Sequence, residues 1–319
     1  EGLAVDTFGP RPVISFGAIL VCIGWIMCSK ASSLGVLYAA QVLTGAGAGA
    51  VYGTCSGNSL KWFPDKRGLA AGATAAGFGG GAAITVIPVA NMINASGYEQ
   101  AFFVFGIAQA IIITICALFM PRAKLPPGTK AIPRVISSKK NYNPTQIVRE
   151  PLFWLIYICF VGVASGGIMA TASFGPVSRD YGLDKIPVTC LGVTLPLLTM
   201  AMSIDNICNG ATRPIMGYLS DRFGRENLMF VVFMGEAASL LGLVFWGREP
   251  IGFMFFAAMT FACWGEIFSL FPSMCADTFG SKFAAGNAGT LYTAKGTSSL
   301  IVPLAAGLAK GGNWNRTFI

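Results

Sequence analysis

Apolar runs close to 20 residues long recur along this chain of 319 residues, and they leave it few ways to fold. A helix rises about 1.5 Å per residue, so about 20 apolar residues cross the ~30 Å hydrocarbon layer of a bilayer. Inside that layer every backbone N–H and C=O needs an internal partner, which only helices and closed barrels supply. The runs cover about residues 12–29, 34–60, 68–93, 101–120, 151–176, 187–216, 227–246, 251–275 and 284–309. Nine nearly complete spanning helices are therefore expected, with a tenth starting at the C-terminus. Hydrophobic residues make up 54% of the chain and charged residues 11%, against about 25% charged in a soluble domain. The expected class is an all-α polytopic membrane protein.

The net charge of +8 could point to nucleic acid, but the basic residues sit in short loops between apolar runs. With alternate loops assigned to opposite sides, one side holds 14 basic residues and the other 6, Arg213 and Lys295 being set aside as intramembrane. The richer side includes Arg11, Lys61, Lys66, Arg67, Arg222, Arg225, Lys282 and the hydrophilic, proline-rich linker 121–150. Basic loops stay inside, so that side is expected to be cytoplasmic. The nine cysteines are scattered through apolar segments without a C-x-x-C spacing and read as small buried hydrophobes. The chain holds no histidine, so a proton-coupled step would need a carboxylate.

The chain opens without Met, at Glu1-Gly2-Leu3, and closes as an apolar run starts, so it reads as a piece of a longer protein, expected to be inactive alone. It also contains a repeat. Gly2, Asp6 and Gly9 recur as Gly217, Asp221 and Gly224, each at an offset of 215. A weaker echo at the same offset relates Lys66-Arg67-Gly68 to Ser281-Lys282-Phe283. Two similar halves in one orientation, joined by a long linker, are the parallel-repeat plan of alternating-access transporters. In Gly-x-x-x-Asp-x-x-Gly the glycines are expected to permit a tight turn between helix ends. The aspartate is expected to sit near a helix N-terminus, pair with a loop arginine (Arg11 or Arg225) and latch that side. The plainer reading is a loop turn without a gating role.

A charged residue at mid-membrane costs roughly 2.5–3.5 kcal/mol, so it is kept where it faces a partner or a water-filled path. Arg213 lies near the end of the run 187–216, and Asn206, Asn209, Gly210 and Arg213 share one helical face. Asp205 lies two turns away. Lys295 is near the middle of its run. Plainer readings have Arg213 snorkelling to the interface and Lys295 paired with a carboxylate. Glu266 and Glu236 are the available buried acids, and each is expected either to pair with a cation or to carry a proton. Two buried cations on different helices suit a small anion, since arginine grips a carboxylate bidentately and lysine adds a point charge. Tyr52 and Trp264 are candidate aromatic walls.

The repeated turn resembles the loop signature of the major facilitator superfamily, Gly-x-x-x-Asp-x-x-Gly-[Arg/Lys]-[Arg/Lys]. The match is good at Gly217, Asp221, Gly224 and Arg225, while Pro10 intervenes before Arg11 in the first copy. This implies two pseudo-symmetric six-helix bundles, truncated at both ends. Residues 1–120 would hold helices 3–6, 121–150 the cytoplasmic linker, and 151–319 helices 7–11 and the start of 12. Trp62-Phe-Pro-Asp-Lys-Arg-Gly68, Leu69-Ala-Ala-Gly72, Asn209-Gly210 through Arg213-Pro214, Leu270-Phe-Pro-Ser273 and Ala294-Lys295 resemble the oxalate/formate antiporter family along the whole chain. In that family a helix 8 arginine and a helix 11 lysine bind the substrate's carboxylates, and those roles carry over to Arg213 and Lys295. Tyr52 and Trp264 match aromatic positions around its oxalate site. Phe78 and Phe268 stand where the oxalate carrier has tyrosines, Glu266 replaces a small residue and Asp205 an amide. The added negative charge should disfavour a dianion.

The resemblance thus implies a secondary carrier exchanging small carboxylates, as a monomer in the plasma (inner) membrane, without a cofactor or nucleic acid. The alternative is proton-coupled symport of a monocarboxylate such as formate, lactate or pyruvate, with Glu266 or Asp205 as proton carrier. A receptor that binds the anion without moving it leaves the repeated gating turns unexplained. An enzyme lacks a histidine, a nucleophile–base pair and a metal-ligand cluster. Gly45-Ala-Gly47-Ala-Gly49 evokes a nucleotide loop, but it lies within an apolar run, where close helix packing explains it.

Overall fold

The apolar runs fold as helices because a helix satisfies its own backbone in lipid. A computed structural model describes residues 5, 7–123, 140–190, 192–303 and 307, without the side chains of Phe78, Gly79 and Val193. In chain order the elements are α1 (Pro10–Ser29), α2 (Leu34–Trp62), α3 (Arg67–Phe119), the short α4 (Pro144–Ile147), α5 (Pro151–Asp180), β1 (Pro187–Cys190), β2 (Val193–Pro196), α6 (Leu197–Phe223), α7 (Arg225–Trp246), α8 (Pro250–Trp264), α9 (Ile267–Phe279) and α10 (Ala284–Ser299).

Among the described residues six spans are long and apolar enough to cross a membrane: α1, α2, α3, α5, α7, and α8 with α9. The runs expected at 68–93 and 101–120 both lie in α3, which bends at Gly97, where φ of 83° is a conformation that favours glycine. Helices α6 and α10 are more polar, and they carry Arg213 and Lys295.

Two expectations are corrected. The run 187–216 is not one helix. Its first ten residues form the antiparallel hairpin β1–β2, with Pro187 opposite Pro196 and Gly192 at φ 82° in the connection. Val188, Thr189, Val193 and Thr194 are β-branched and favour extended backbone, and the terminal prolines need donate nothing to the ladder. The helix begins at Leu197 and runs to Phe223, beyond the expected end. The run 251–275 is broken at Gly265-Glu266, between α8 and α9.

The end of the linker is pinned. Asn143 and Gln146 form a reciprocal capping box on α4. The Tyr142 N–H donates to the Phe279 carbonyl at 2.9 Å, and the Asn287 side chain donates to the Tyr142 carbonyl at 3.0 Å. These contacts tie residues 140–150 to the junction of α9 and α10.

The helices before the linker meet those after it through small residues. Gly68 lies directly against the Gly217 carbonyl, Gly72 against the Arg213 carbonyl, and Gly57 against Ala285. Missing side chains let the backbones approach at these crossings. Adding even a methyl group at Gly68 forces the two helices apart. Overpacking of this kind costs about 1–3 kcal/mol, so Gly68→Ala is expected to lower the melting temperature of the detergent-solubilised protein by several degrees. Gly77→Ala, where nothing lies within 4 Å, is expected to leave it unchanged. Monodisperse fraction against temperature reads both.

Candidate functional site

Because α6 continues to Phe223, Arg213 lies ten residues from its end, a rise of about 15 Å. It is only 4% exposed, which rules out snorkelling. Its Nη1 donates to the Ala75 carbonyl of α3 at 2.6 Å, and its Nη2 donates to the Asn209 side chain one turn earlier. Its buried Nε has no hydrogen-bond partner among the described residues. The guanidinium stands over the Phe268 ring, 4.5 Å from the centroid. Lys295, from α10, places Nζ 4.7 Å from the centroid of the same ring and 6.0 Å from that of Trp264. The two cationic heads are thus gathered around one phenylalanine. Among the described residues no carboxylate oxygen comes within 4.0 Å of either.

Both cations face a cavity of about 780 Å³, lined also by Tyr52, Asn206, Asn209, Trp264, Phe268 and Tyr292. Trp264 fits against Gly167 of α5, where a side chain would collide with its indole. Tyr52 of α2 and Tyr292 of α10 join hydroxyls at 2.9 Å, and both reach the Phe268 carbonyl at 3.3 Å. Gly45, Gly49 and Gly53 of α2 and Gly289 and Gly296 of α10 widen the space. The glycine run of α2 therefore serves two faces. Gly47 packs on Gly17 and Val21 of α1, whereas Gly45 and Gly53 have nothing within 4 Å and border the cavity. Helix packing alone does not explain the run.

The structure thus brings Arg213, Lys295, Tyr52 and Trp264 to one cavity, and it leaves two other candidates out. Glu266 is wholly buried at the α8–α9 break and does not line the cavity. Its Oε2 accepts from the Ser269 hydroxyl at 3.1 Å, and its Oε1 has no partner among the described residues. Asp205 is buried and also off the cavity, with Oδ1 unpartnered among the described residues. The Phe78 side chain lies outside the described residues.

The end of the helices nearest the linker is closed by charged side chains. Asp221 accepts from the N–H groups of Gly68 (2.9 Å) and Leu69 (3.0 Å) at the start of α3, and pairs with Arg225 at 2.7 Å. A carboxylate at a helix N-terminus satisfies free N–H groups and complements the helix dipole. Arg225 also pairs with Asp277 of α9 at 2.9 Å, and Arg67 of α3 pairs with Asp277 at 2.7 Å. Gly224 makes the turn, with φ 91°, but Gly217 is helical and serves the contact with Gly68, correcting its expected place in the turn. In the first copy Gly9 has φ 87°, and the Arg11 Nε donates to the Met120 carbonyl at 3.0 Å. Gly2 and Asp6 lie outside the described residues.

Sequence reasoning missed Tyr292, Arg67 and Asp277. Tyr292 precedes Lys295 by one helical turn, a spacing that could have found it. Arg67 and Asp277 are 210 positions apart, and nothing local pairs them. Among the described residues no group of three or more Cys, Asp or Glu side chains could hold a metal ion.

Comparison with known proteins fits this architecture. The family model of the Major Facilitator Superfamily matches residues 2–303. The oxalate:formate antiporter of Oxalobacter formigenes is 35% identical, covering 100% of this chain and 73% of that protein. An uncharacterised MFS-type transporter of Escherichia coli (strain K12) is 24% identical, covering 94% of this chain and 72% of its own length. Among solved structures, the human organic anion transporter TETRAN superposes with a TM-score of 0.70 at 13% identity, over 99% of this chain and 76% of its own. The Escherichia coli fucose:proton symporter superposes at 0.67 with 13% identity, over 99% and 82%. The extent of the family match and the full-length similarity to the antiporter show that the chain is a membrane transporter that belongs to the major facilitator superfamily and, within it, to the oxalate/formate antiporter family.

Proposed function

We propose that this transporter exchanges small carboxylate anions by alternating access, with Arg213 and Lys295 as the anion clamp and Tyr52 and Trp264 as walls of the site. The observation that carries this reading is the pair of cations facing one cavity, with no carboxylate within 4.0 Å of either among the described residues. The Nε of Arg213 has no acceptor among the described residues, and the Lys295 ammonium faces the same cavity; a carboxylate supplies an acceptor to both. The name of the Oxalobacter formigenes relative agrees in substrate type.

Exchange follows from charge. Arg213 and Lys295 stand 4.5 and 4.7 Å from one ring centroid, so their heads are at most about 9 Å apart and repel by about 2 kcal/mol or more at an effective dielectric constant near 20. Closing both sides around an empty site traps that repulsion away from water. A bound anion cancels it, so the loaded carrier can cross between states and the empty one is held back. Obligatory exchange is the result.

The latch of Asp221, Arg225, Asp277 and Arg67 then serves as the gate of one side. It joins the start of α3 to α6, α7 and α9, so opening must separate residues that lie before the linker from residues after it. The excess of basic residues there supports a cytoplasmic gate and a cytoplasmic linker. Proton-coupled monocarboxylate symport is a second reading, favoured by the buried Glu266, whose Oε1 has no hydrogen-bond partner among the described residues.

Replacing either cation tests the site. Arg213→Ala and Lys295→Ala are each expected to cut labelled-anion uptake at least about 100-fold, because truncating one partner of a buried charge contact costs roughly 2–5 kcal/mol. Arg213→Lys keeps the charge, loses the fork, and is expected to raise KM about tenfold. Normal uptake by either alanine variant, at matched expression, would remove the proposed clamp. For the gate, Asp277→Asn is expected to lengthen the spin-label distance between Lys61 and Lys282, measured in a cysteine-free background. An unchanged distance distribution counts against a latch.

A further inference from the structure

Among the described residues, Glu266 is an acidic side chain beside the clamp that the exchange reading leaves unused. It is buried, fixed through Oε2 to Ser269, and seated at the junction of α8 and α9, next but one to Trp264 and Phe268. Its neighbour Gly265 packs on Asn209, the side chain that accepts from Arg213, so the α8–α9 junction is seated on the partner of the clamp arginine. Asp205 is eight residues from Arg213 along α6, about 12 Å of helical rise. Glu236, on α7, lies against Gly166 of α5. The groups around Glu266 are Arg213 and Thr212 of α6, Ser269 of α9, and Cys263 of α8, which also stands within the field of Glu236. Lys295 approaches from α10 across Trp264 and Phe268.

We propose that Glu266 sets the charge of the anion this carrier accepts, selecting monocarboxylates over dicarboxylates. The proposal rests on the carboxylate-exchange reading. With Glu266 ionised, Arg213, Lys295 and Glu266 together leave one positive charge, and a monoanion brings the site to neutrality. A dianion leaves an uncompensated negative charge in a place removed from water, which is heavily penalised. Glu266 does not line the cavity, so it acts as a specificity residue through the field at Arg213 rather than by touching substrate.

The discriminating pair of probes is oxalate and its monoamide oxamate, which share size and shape and differ by one charge. Uptake of each is measured at one fixed pH into liposomes preloaded with formate. The wild-type protein is expected to prefer oxamate. Glu266→Gln is expected to move the oxalate-to-oxamate ratio of kcat/KM toward oxalate at least about tenfold, the effect of one unit charge at a partly screened distance. Glu266→Asp, which keeps the charge, should retain a ratio near that of the wild type. A structural role alone would lower both uptakes and leave the ratio in place. An unchanged ratio in an active Glu266→Gln carrier overturns the proposal. So does a wild-type preference for oxalate, which is readable even if the glutamine variant does not fold. A wild-type carrier that moves neither probe nor formate instead overturns the exchange reading on which the proposal stands.

Discussion

Two like charges gathered around one phenylalanine ring inside a membrane transporter set the terms for the rest of this structure. Neither Arg213 nor Lys295 is neutralised by a direct ion pair among the described residues, and Arg213 is buried. The protein tolerates them by lending neutral partners: the Ala75 carbonyl, the Asn209 amide, and the faces of Phe268 and Trp264. Such partners orient a cation without cancelling it. The residual positive potential is what the proposed anion site needs, and the helices that supply the two cations, α6 and α10, are more polar than the other long helices.

The same cations are wired into the contact between the parts of the chain before and after the linker. Arg213 bonds the carbonyl of Ala75 on α3, while the neighbouring turns of α3 and α6 touch through Gly72 and Gly68. One end of that crossing carries the clamp and the other carries the Asp221 latch on the first N–H groups of α3. The proposed alternating access, if it rocks about this crossing, changes both. On the proposed reading, site and gate are coupled through this shared backbone. The two tyrosines that meet across α2 and α10 add a second, weaker bridge beside the cavity.

Much of this was legible in the sequence, and the boundary has physical causes. Apolar length revealed the spans, since the bilayer imposes it. The cost of an intramembrane charge singled out Arg213 and Lys295, and the repeat at an offset of 215 singled out Gly9 and Gly224, which share the same left-handed turn. Residues 187–196 were misread because a short apolar run gives no periodicity to tell strand from helix. Arg213 was placed too near a helix end for a different reason: the apolar run stops at 216, while the helix continues through polar residues to Phe223. The Arg67–Asp277 pair was invisible because it is purely tertiary. The glycines of α2 were half legible: their number announced close approach, but which of them face α1 and which face the cavity depends on neighbours the sequence does not reveal.

The account turns on whether the loaded carrier alone changes sides. The direct measurement is the rate of labelled-formate uptake into proteoliposomes with and without unlabelled formate inside, repeated under an inward proton gradient. Unpaired cations predict rapid uptake only when internal anion is present, with no response to the gradient. Uptake into empty liposomes driven by the proton gradient contradicts obligatory exchange and makes a protonated carboxylate, rather than the charge clamp alone, the centre of the mechanism.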